Sequence, residues 1–176
     1  MSALEIKIRL ARDSDLGAYT RLLQKSFQDT FSDDAIGLPK SFFSEEIFSS
    51  ERIQGYFSSR IRGGKGKKTW LAFHGADLIG AMTAKKVGRE VEFEGFYVDA
   101  AFRGGGIGKV LWQRAMDFAG KRNIILVTFS HNDKSNAVYR KLGFVRYGEE
   151  MAMHWSEWPE DASAKLFRMR LVQKKG

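Results

Sequence analysis

Two glutamates two positions apart, Glu92 and Glu94, are the first candidates for chemistry in this chain. They lie in the stretch REVEFEGFYVDA, which is typical of a β-strand, so both side chains are predicted to project to one face of a sheet. Neighbouring carboxylates raise each other's pKa, and partial burial raises it further, towards the range useful to a general base. The alternative, that one or both are ordinary exposed strand residues, stays open.

A glycine-rich loop, FRGGGIGKVL at residues 102–111, follows this strand and leads into a predicted helix. Bare amides and the helix dipole make such a loop a general anion site. A P-loop would need glycine at Arg103 and a hydroxyl at Val110, and the dinucleotide pattern G-x-G-x-x-G needs glycine at Lys109 or Leu111. Both patterns fail, which leaves another kind of anion site or a merely flexible turn.

A third pattern, R/Q-x-x-G-x-G/A, is filled by Arg103, Gly106 and Gly108. Its context, FEGFYVDAAFRGGGIGKVL, resembles the strand, pyrophosphate loop and helix of the GNAT superfamily of acyl-CoA-dependent N-acyltransferases. The segment NDKSNAVYRKLGF, residues 132–144, resembles the second motif of that family, in which an asparagine precedes a tyrosine by seven residues. The resemblance is specific over residues 88–147 and thin over the first 65 residues.

The resemblance implies acetyl-CoA as cosubstrate and no metal. Loop amides would bind the coenzyme A pyrophosphate, with charge added by Arg103 and Lys109, and main-chain groups of the preceding strand would bind the pantetheine arm. The Phe96 amide would be the oxyanion donor. The implied cofactor-binding residues are Phe96, Tyr97, Val98, Arg103, Gly104, Gly105, Gly106, Ile107, Gly108, Lys109 and Asn132.

Two residues of the second motif receive roles by the same resemblance. Tyr139 matches the tyrosine that protonates the coenzyme A thiolate, and a phenol can donate a hydrogen bond to sulfur without being ionised. The alternative for Tyr139 is a core aromatic on the last helix. Asn132 would contact the cofactor or cap that helix.

Transfer of an acyl group to an amine requires a base, because a lysine-like amine of pKa about 10.4 is mostly protonated at neutral pH. Glu92 lies eleven residues before Arg103, a spacing that resembles the catalytic glutamate of some family members, whereas Glu94 is expected nearer the acyl group. Either one, acting directly or through water, fits the role. The predicted activity is acetyl transfer to a primary amine of a small molecule, peptide or protein. The alternative is a catalytically silent acyl-CoA-binding sensor or interaction module of the same fold.

The composition excludes other chemistry. The chain has no cysteine, and its three histidines, His74, His131 and His154, show no ligand spacing, so disulfides, thiolate metal sites and a cysteine nucleophile are ruled out. No run approaches the ~18 apolar residues of a membrane span, and the first residues lack the apolar core of a signal peptide. We therefore expect a cytoplasmic protein that makes no membrane contact.

The formal net charge of +8 favours an anionic partner. The densest basic stretch is RIRGGKGKK, residues 60–68, which is typical of a glycine-broken loop. It is either a solvated connection or a phosphate-binding tail. Because no recognised DNA-reading motif and no basic helix with interleaved aromatics is present, nucleic acid is not the partner expected from the sequence.

These candidate residues must be positioned by a sheet, and the hydrophobic periodicity predicts the order β-α-α-β-β-β-α-β-α-β-β. The second helical stretch is predicted to break near Ser49 and Ser50. The expected fold class is α/β, with a mixed, mostly antiparallel central sheet of about seven strands flanked by about four helices, which is GNAT-like. With 43% hydrophobic residues and no linker or repeat, residues 1–176 are expected to form a single domain.

The acceptor groove in this family is usually formed by the first helices and their connection. Here that region is rich in aromatics from Phe27 to Phe57 and carries the acidic residues Asp29, Asp33, Asp34, Glu45 and Glu46. They would suit a cationic, partly apolar amine, or else form a helical core with a solvated acidic loop. The stretch SFQDTF resembles bacterial spermidine/spermine acetyltransferase-type enzymes. The acceptor, the acyl chain and a homodimeric state are left open.

Overall fold

The chain alternates helices and strands in the order that its periodicity predicts. The computed structural model describes residues 5–152 and 159–173, so His154 lies outside the described residues. Within these ranges the elements are β1 (Ile6–Leu10), α1 (Leu16–Thr30), α2 (Glu45–Phe48), α3 (Glu51–Arg62), β2 (Lys67–His74), β3 (Asp77–Val87), β4 (Glu90–Val98), α4 (Ile107–Ala119), β5 (Ile124–Phe129), α5 (Asp133–Lys141), β6 (Val145–Ala152) and β7 (Lys165–Leu171). The predicted break at Ser49 and Ser50 is confirmed as the division between α2 and α3.

The seven described strands form one sheet in the order β1-β2-β3-β4-β5-β7-β6. Every neighbouring pair is antiparallel except β4 and β5, which are parallel and lie in the middle of the sheet. This confirms the expected fold class. Strands β1 and β7, near the two ends of the described chain, belong to the same sheet.

Both faces of the sheet are buried. Neighbouring residues alternate between two cores, so that Leu71 and Ala81 pack under α1, α2 and α3, whereas Ala72 and Met82 pack under α4. Strands that are buried on both faces read as continuous apolar runs rather than as alternating ones. This double burial explains why β2 and β3 contain runs such as WLAF and LIGAM.

The central parallel pair is short. Pairing of β4 with β5 runs from Val91 opposite Ile124 to Phe93 opposite Leu126, although β4 continues to Val98 and β5 to Phe129. Beyond Phe93 the two strands have no register with each other. A cleft therefore opens between them, in the middle of the sheet.

A bulge in β4 begins two residues after Phe93. Gly95 and Phe96 together stand opposite the single residue Met82 of β3, and Gly95 has a φ of 61°. A Cβ atom at Gly95 would lie 2.6 Å from Nη1 of Arg60. Glycine is thus required here twice, for its left-handed backbone and for the space that Arg60 occupies.

Among the described residues, no helix is both long enough and apolar enough to cross a membrane.

The bulge yields a first prediction. Gly95→Ala should lower the free energy of unfolding more than the control substitution Gly88→Ala. Gly88 also has a positive φ, 59°, but no atom lies within 4 Å of its Cβ position. Both substitutions carry the left-handed penalty of about 1–2 kcal/mol, and only Gly95→Ala adds a collision worth about 1 kcal/mol or more. Urea denaturation of both variants measures the difference, and equal losses would contradict the close approach of Arg60.

Candidate active site

The cleft between β4 and β5 has a volume of about 1270 Å³ and collects most of the residues singled out from the sequence. The predicted site residues that line it are Glu92, Glu94, Phe96, Tyr97, Val98, Arg103, Gly104, Gly108, Asn132 and Tyr139. Four others, Gly105, Gly106, Ile107 and Lys109, are in the same loop and helix start but do not line the cleft. The Ile107 side chain is instead buried in the core under α4.

The glycine loop ends in a helix start with free amides. Gly106 is the N-cap residue of α4 with a φ of 82°, and the first helical hydrogen bond runs from the Val110 amide to the Gly106 carbonyl at 3.1 Å. The amides of the preceding first-turn residues therefore have no partner within the helix. Arg103 donates from Nε to the Val98 carbonyl at 3.0 Å, which holds its guanidinium at the junction of β4 and the loop. Free amides at a helix start can bind an anion.

Main-chain groups line the next part of the cleft. The Phe96 and Val98 side chains pack against the core under α4, and the Tyr97 side chain packs against the opposite core. Because β4 has no β5 partner beyond Phe93, its backbone edge there borders the cleft. An extended ligand could bind along this edge through main-chain hydrogen bonds.

Glu92 and Glu94, which the sequence does not distinguish as candidate bases, have different surroundings in the structure. Glu94 lies between two cations, with Oε2 3.5 Å from Arg60 Nε and Oε1 3.8 Å from Lys85 Nζ. Glu92 is half-buried and forms no ion pair among the described residues. Burial, and then the nearby Glu94 carboxylate, raise the pKa of Glu92 above its ordinary value.

Arg60 is a cleft residue that sequence reasoning assigned to a basic loop. It lies in α3 and is only 7% exposed, so the prediction of a loop starting at residue 60 is wrong for its first three residues. Its Nη2 donates to the Tyr56 hydroxyl at 2.6 Å, and its Nη1 lies 3.5 Å from the Tyr19 hydroxyl. Burial opposes the charge, but the surrounding tyrosines and Glu94 outweigh it and raise the pKa of Arg60. The sequence did contain a signal for the burial of Arg60, because Arg60 lies three residues after Phe57, on the apolar face of α3.

Tyr139 enters the cleft from α5. Its ring stacks on Trp112 at a centroid distance of 6.3 Å and also packs against Phe144, so it is both a cleft residue and part of the core boundary. Burial raises the pKa of Tyr139 to about 12. The phenol therefore stays protonated at neutral pH and can donate a hydrogen bond.

Buried hydrogen bonds hold α5 against the end of β5. Asn136 is 0% exposed, accepts from the Thr128 hydroxyl at 2.8 Å and donates to the Phe129 carbonyl at 3.0 Å. Asn132 begins the helix as its N-cap, and its Oδ1 lies 3.5 Å from the Ser135 amide. Asn132 thus occupies both of its predicted places, at the helix start and in the cleft wall. The sequence did not single out Asn136.

The acidic residues expected around the acceptor are dispersed. Asp29 lines the cleft and lies 3.7 Å from Lys40, whereas Asp33 accepts from the Ala35 amide and caps a short turn. Asp34, Glu45 and Glu46 are exposed and do not line the cleft. Aromatic side chains form much of this end, among them Phe27, Phe31, Tyr56, Phe57 and Tyr97. In the described part of the chain, no three His, Asp or Glu side chains come together as a metal site.

Comparison with known proteins identifies a family. Residues 17–144 match the sequence model of the Acetyltransferase (GNAT) family. The chain is 36% identical over 78 residues to N-alpha-acetyltransferase RimI of Mycobacterium tuberculosis, which is 42% of this chain and 49% of that protein. It is 33% identical to N-acetylaspartate synthetase of Danio rerio over 85 residues, which cover 46% of this chain and 30% of that protein. The matches span about half the length of these curated relatives or less.

Solved structures share the fold at low identity. The ribosomal-protein-S18-alanine N-acetyltransferase from Escherichia coli superposes with a TM-score of 0.68 at 18% identity, covering 98% of this chain and 97% of that chain. The PaiA N-acetyltransferase from Thermoplasma acidophilum, in complex with coenzyme A, gives a TM-score of 0.66 at 21% identity, covering 93% and 98%.

Proposed function

The chain belongs to the GNAT acetyltransferase family, and from this premise we propose that it transfers an acetyl group from acetyl-CoA directly to a primary amine. The acceptor is a small molecule, or an amine of a peptide or protein. The observation that carries the proposal is that one cleft combines a glycine-loop anion site, a free main-chain edge, a carboxylate of raised pKa and a protonated phenol.

The loop and the β4 edge fit coenzyme A. Gly104 and Gly106 both have positive φ angles and no atom within 4 Å of a Cβ position, so the backbone is exposed to a pyrophosphate. Arg103 forms no ion pair among the described residues and is free to add positive charge. The main-chain groups of residues 96–98 would bind the pantetheine arm, and the thioester supplies the acetyl group.

Glu92 is the proposed general base. Glu94 is compensated by Arg60 and Lys85, whereas Glu92 is half-buried with no cation paired to it. A carboxylate of raised pKa accepts a proton better at neutral pH than an ordinary one. Glu92, directly or through water, takes a proton from the ammonium of the acceptor, and the free amine then forms the new N–C bond as the C–S bond breaks.

Tyr139 is the proposed general acid. Its hydroxyl donates a proton to the departing thiolate, and the second proton that the attacking nitrogen loses restores the phenol. The proton taken by Glu92 passes to solvent, so one proton is released in each turnover. The negative charge that develops on the carbonyl oxygen would be held by the amide of Phe96, which forms the bulge together with Gly95.

The acceptor and the general acid are tested together. We expect coenzyme A release from acetyl-CoA with at least one class in a panel of polyamines, aminoglycosides, amino acids and peptide N-termini. Tyr139→Phe should lower turnover about 100-fold, because general acid catalysis contributes 10²–10⁴-fold, while acetyl-CoA affinity by calorimetry stays unchanged. Unchanged turnover would remove Tyr139 from the acid role. Acetyl-CoA binding with no turnover on any amine would favour a silent binding module.

The loop assignment predicts that Gly106→Asp abolishes acetyl-CoA binding, because a carboxylate would occupy the anion site. Gly75→Asp is the matched control, since Gly75 has a φ of 62°, no atom within 4 Å of its Cβ position and a place in the turn between β2 and β3. Calorimetric titration of both variants separates the effect of charge in the loop from backbone strain. Normal binding by Gly106→Asp would overturn the assignment.

The choice of base predicts three pH profiles. The wild-type rate should rise with pH as Glu92 loses its proton, above its ordinary pKa of 4.5. Glu92→Gln should lower turnover about 100-fold and abolish this rise in rate with pH. Glu94→Gln should keep this rise in rate but move it to lower pH, because the substitution removes a negative charge that raises the pKa of Glu92. The acceptor amine titrates equally in all three proteins, so differences between their pH profiles come from the carboxylates. If the rise in rate with pH persists in Glu92→Gln, Glu92 is not the general base.

A further inference from the structure

Positive charge is concentrated at the end of the sheet opposite the opening of the cleft. Three segments meet there, namely the turn into β2, the turn from β3 to β4, and the loop after α4. These segments and the adjoining strand ends carry six exposed cations, Lys65, Lys68, Lys86, Arg89, Lys121 and Arg122, which we call the basic end.

Main-chain pairing and ring contacts bring these cations together. The Lys86 amide donates to the Gly66 carbonyl at 2.7 Å, and the Val91 amide donates to the Asn123 carbonyl at 2.9 Å, next to Arg122. The ammonium groups of Lys68 and Lys86 lie 5.7 and 5.3 Å from the centre of one ring, that of Phe118 in α4. Two like charges therefore lie near one aromatic ring.

No carboxylate of the described residues forms an ion pair with any of the six cations. Of the carboxylates nearest to them in sequence, Glu90 is paired with Arg170 at 2.8 Å, and the exposed Asp117 accepts from the uncharged Gln113 at 2.8 Å. Gathering like charges without compensation raises the free energy of the folded protein. The arrangement therefore fits an external anion better than it fits a contribution to the fold.

The basic end is remote from the proposed cofactor site. The glycine loop is at the first residue of α4 and Phe118 is near its last, so the two are separated by most of the 13 residues of the helix, or about 18 Å. The cations of the basic end cannot serve the pyrophosphate loop. Any anion that they bind is therefore a different one.

We propose that the basic end binds the phosphate backbone of a nucleic acid without reading its sequence. The surface is made of strand ends and turns, which do not offer the free strand edge to which an extended peptide adds. A phosphate backbone needs only positive charges on long, mobile side chains. The sequence expectation against nucleic acid rested on motifs that read bases, which backbone binding does not use.

Salt-dependent RNA binding tests the proposal. Fluorescence anisotropy would measure the affinity for a labelled single-stranded RNA of about 20 nucleotides and mixed sequence, where each phosphate contact contributes about −0.7 to the slope of log K against log salt. The triple variant Lys68→Gln/Lys86→Gln/Arg122→Gln should bind at least about tenfold more weakly, with a slope shallower by about 2. Lys7→Gln/Arg21→Gln/Lys141→Gln removes three exposed charges elsewhere and should change the affinity much less.

Three results would overturn the proposal. The first is no RNA binding at low salt, and the second is an equal loss in both triple variants, which would mean that net charge alone decides. The third is competition by polyglutamate as effective as that by unlabelled RNA at equal charge, which would indicate an acidic protein partner. All three are independent of acetyl transfer, because none of the substituted residues lines the cleft.

Discussion

The short parallel pairing of β4 with β5 is the constraint on which the rest of the structure depends. Three residue pairs, ending at Phe93 and Leu126, hold the strands together, and beyond them the strands separate within a sheet that is covered on both faces. A continuous sheet would have used the main-chain groups of β4 for pairing. Because the strands separate, an interior cleft exists and its wall carries unpaired backbone groups.

Arg60 connects the helices to the bulged strand β4. Its guanidinium occupies the space beside Gly95 that any side chain would take, and it contacts the tyrosines of α1 and α3 as well as Glu94. A buried charge is tolerated only when it is paired and hydrogen-bonded, so this group ties α1, α3 and β4 into one arrangement. The same pairing engages Glu94 and leaves Glu92 without a cation partner.

Burial acts in one direction on the two residues proposed for proton transfer, and it serves both roles. It disfavours the ionised form of each, which makes the Glu92 carboxylate a stronger base and keeps the Tyr139 phenol protonated.

Helix α4 separates two regions that favour anions for different reasons. At its start, free amides and glycines present the backbone, whereas near its end, long cationic side chains surround Phe118.

The sequence by itself determined the element order, the mixed sheet, the family resemblance and the loop that begins α4. The element order and the sheet follow from periodicity, the loop from glycines whose backbone needs are local, and the resemblance from two contiguous motifs, so all can be recognised without coordinates. The distinction between Glu92 and Glu94, the burial of Arg60, the role of Asn136 and the gathering of the basic end came only from the tertiary structure. Each depends on residues distant in the chain: Glu94 meets Arg60 across 34 positions, and Lys68 and Lys86 meet on Phe118. Side-chain pKa values and charge clusters follow from such contacts, and a one-dimensional pattern does not contain them.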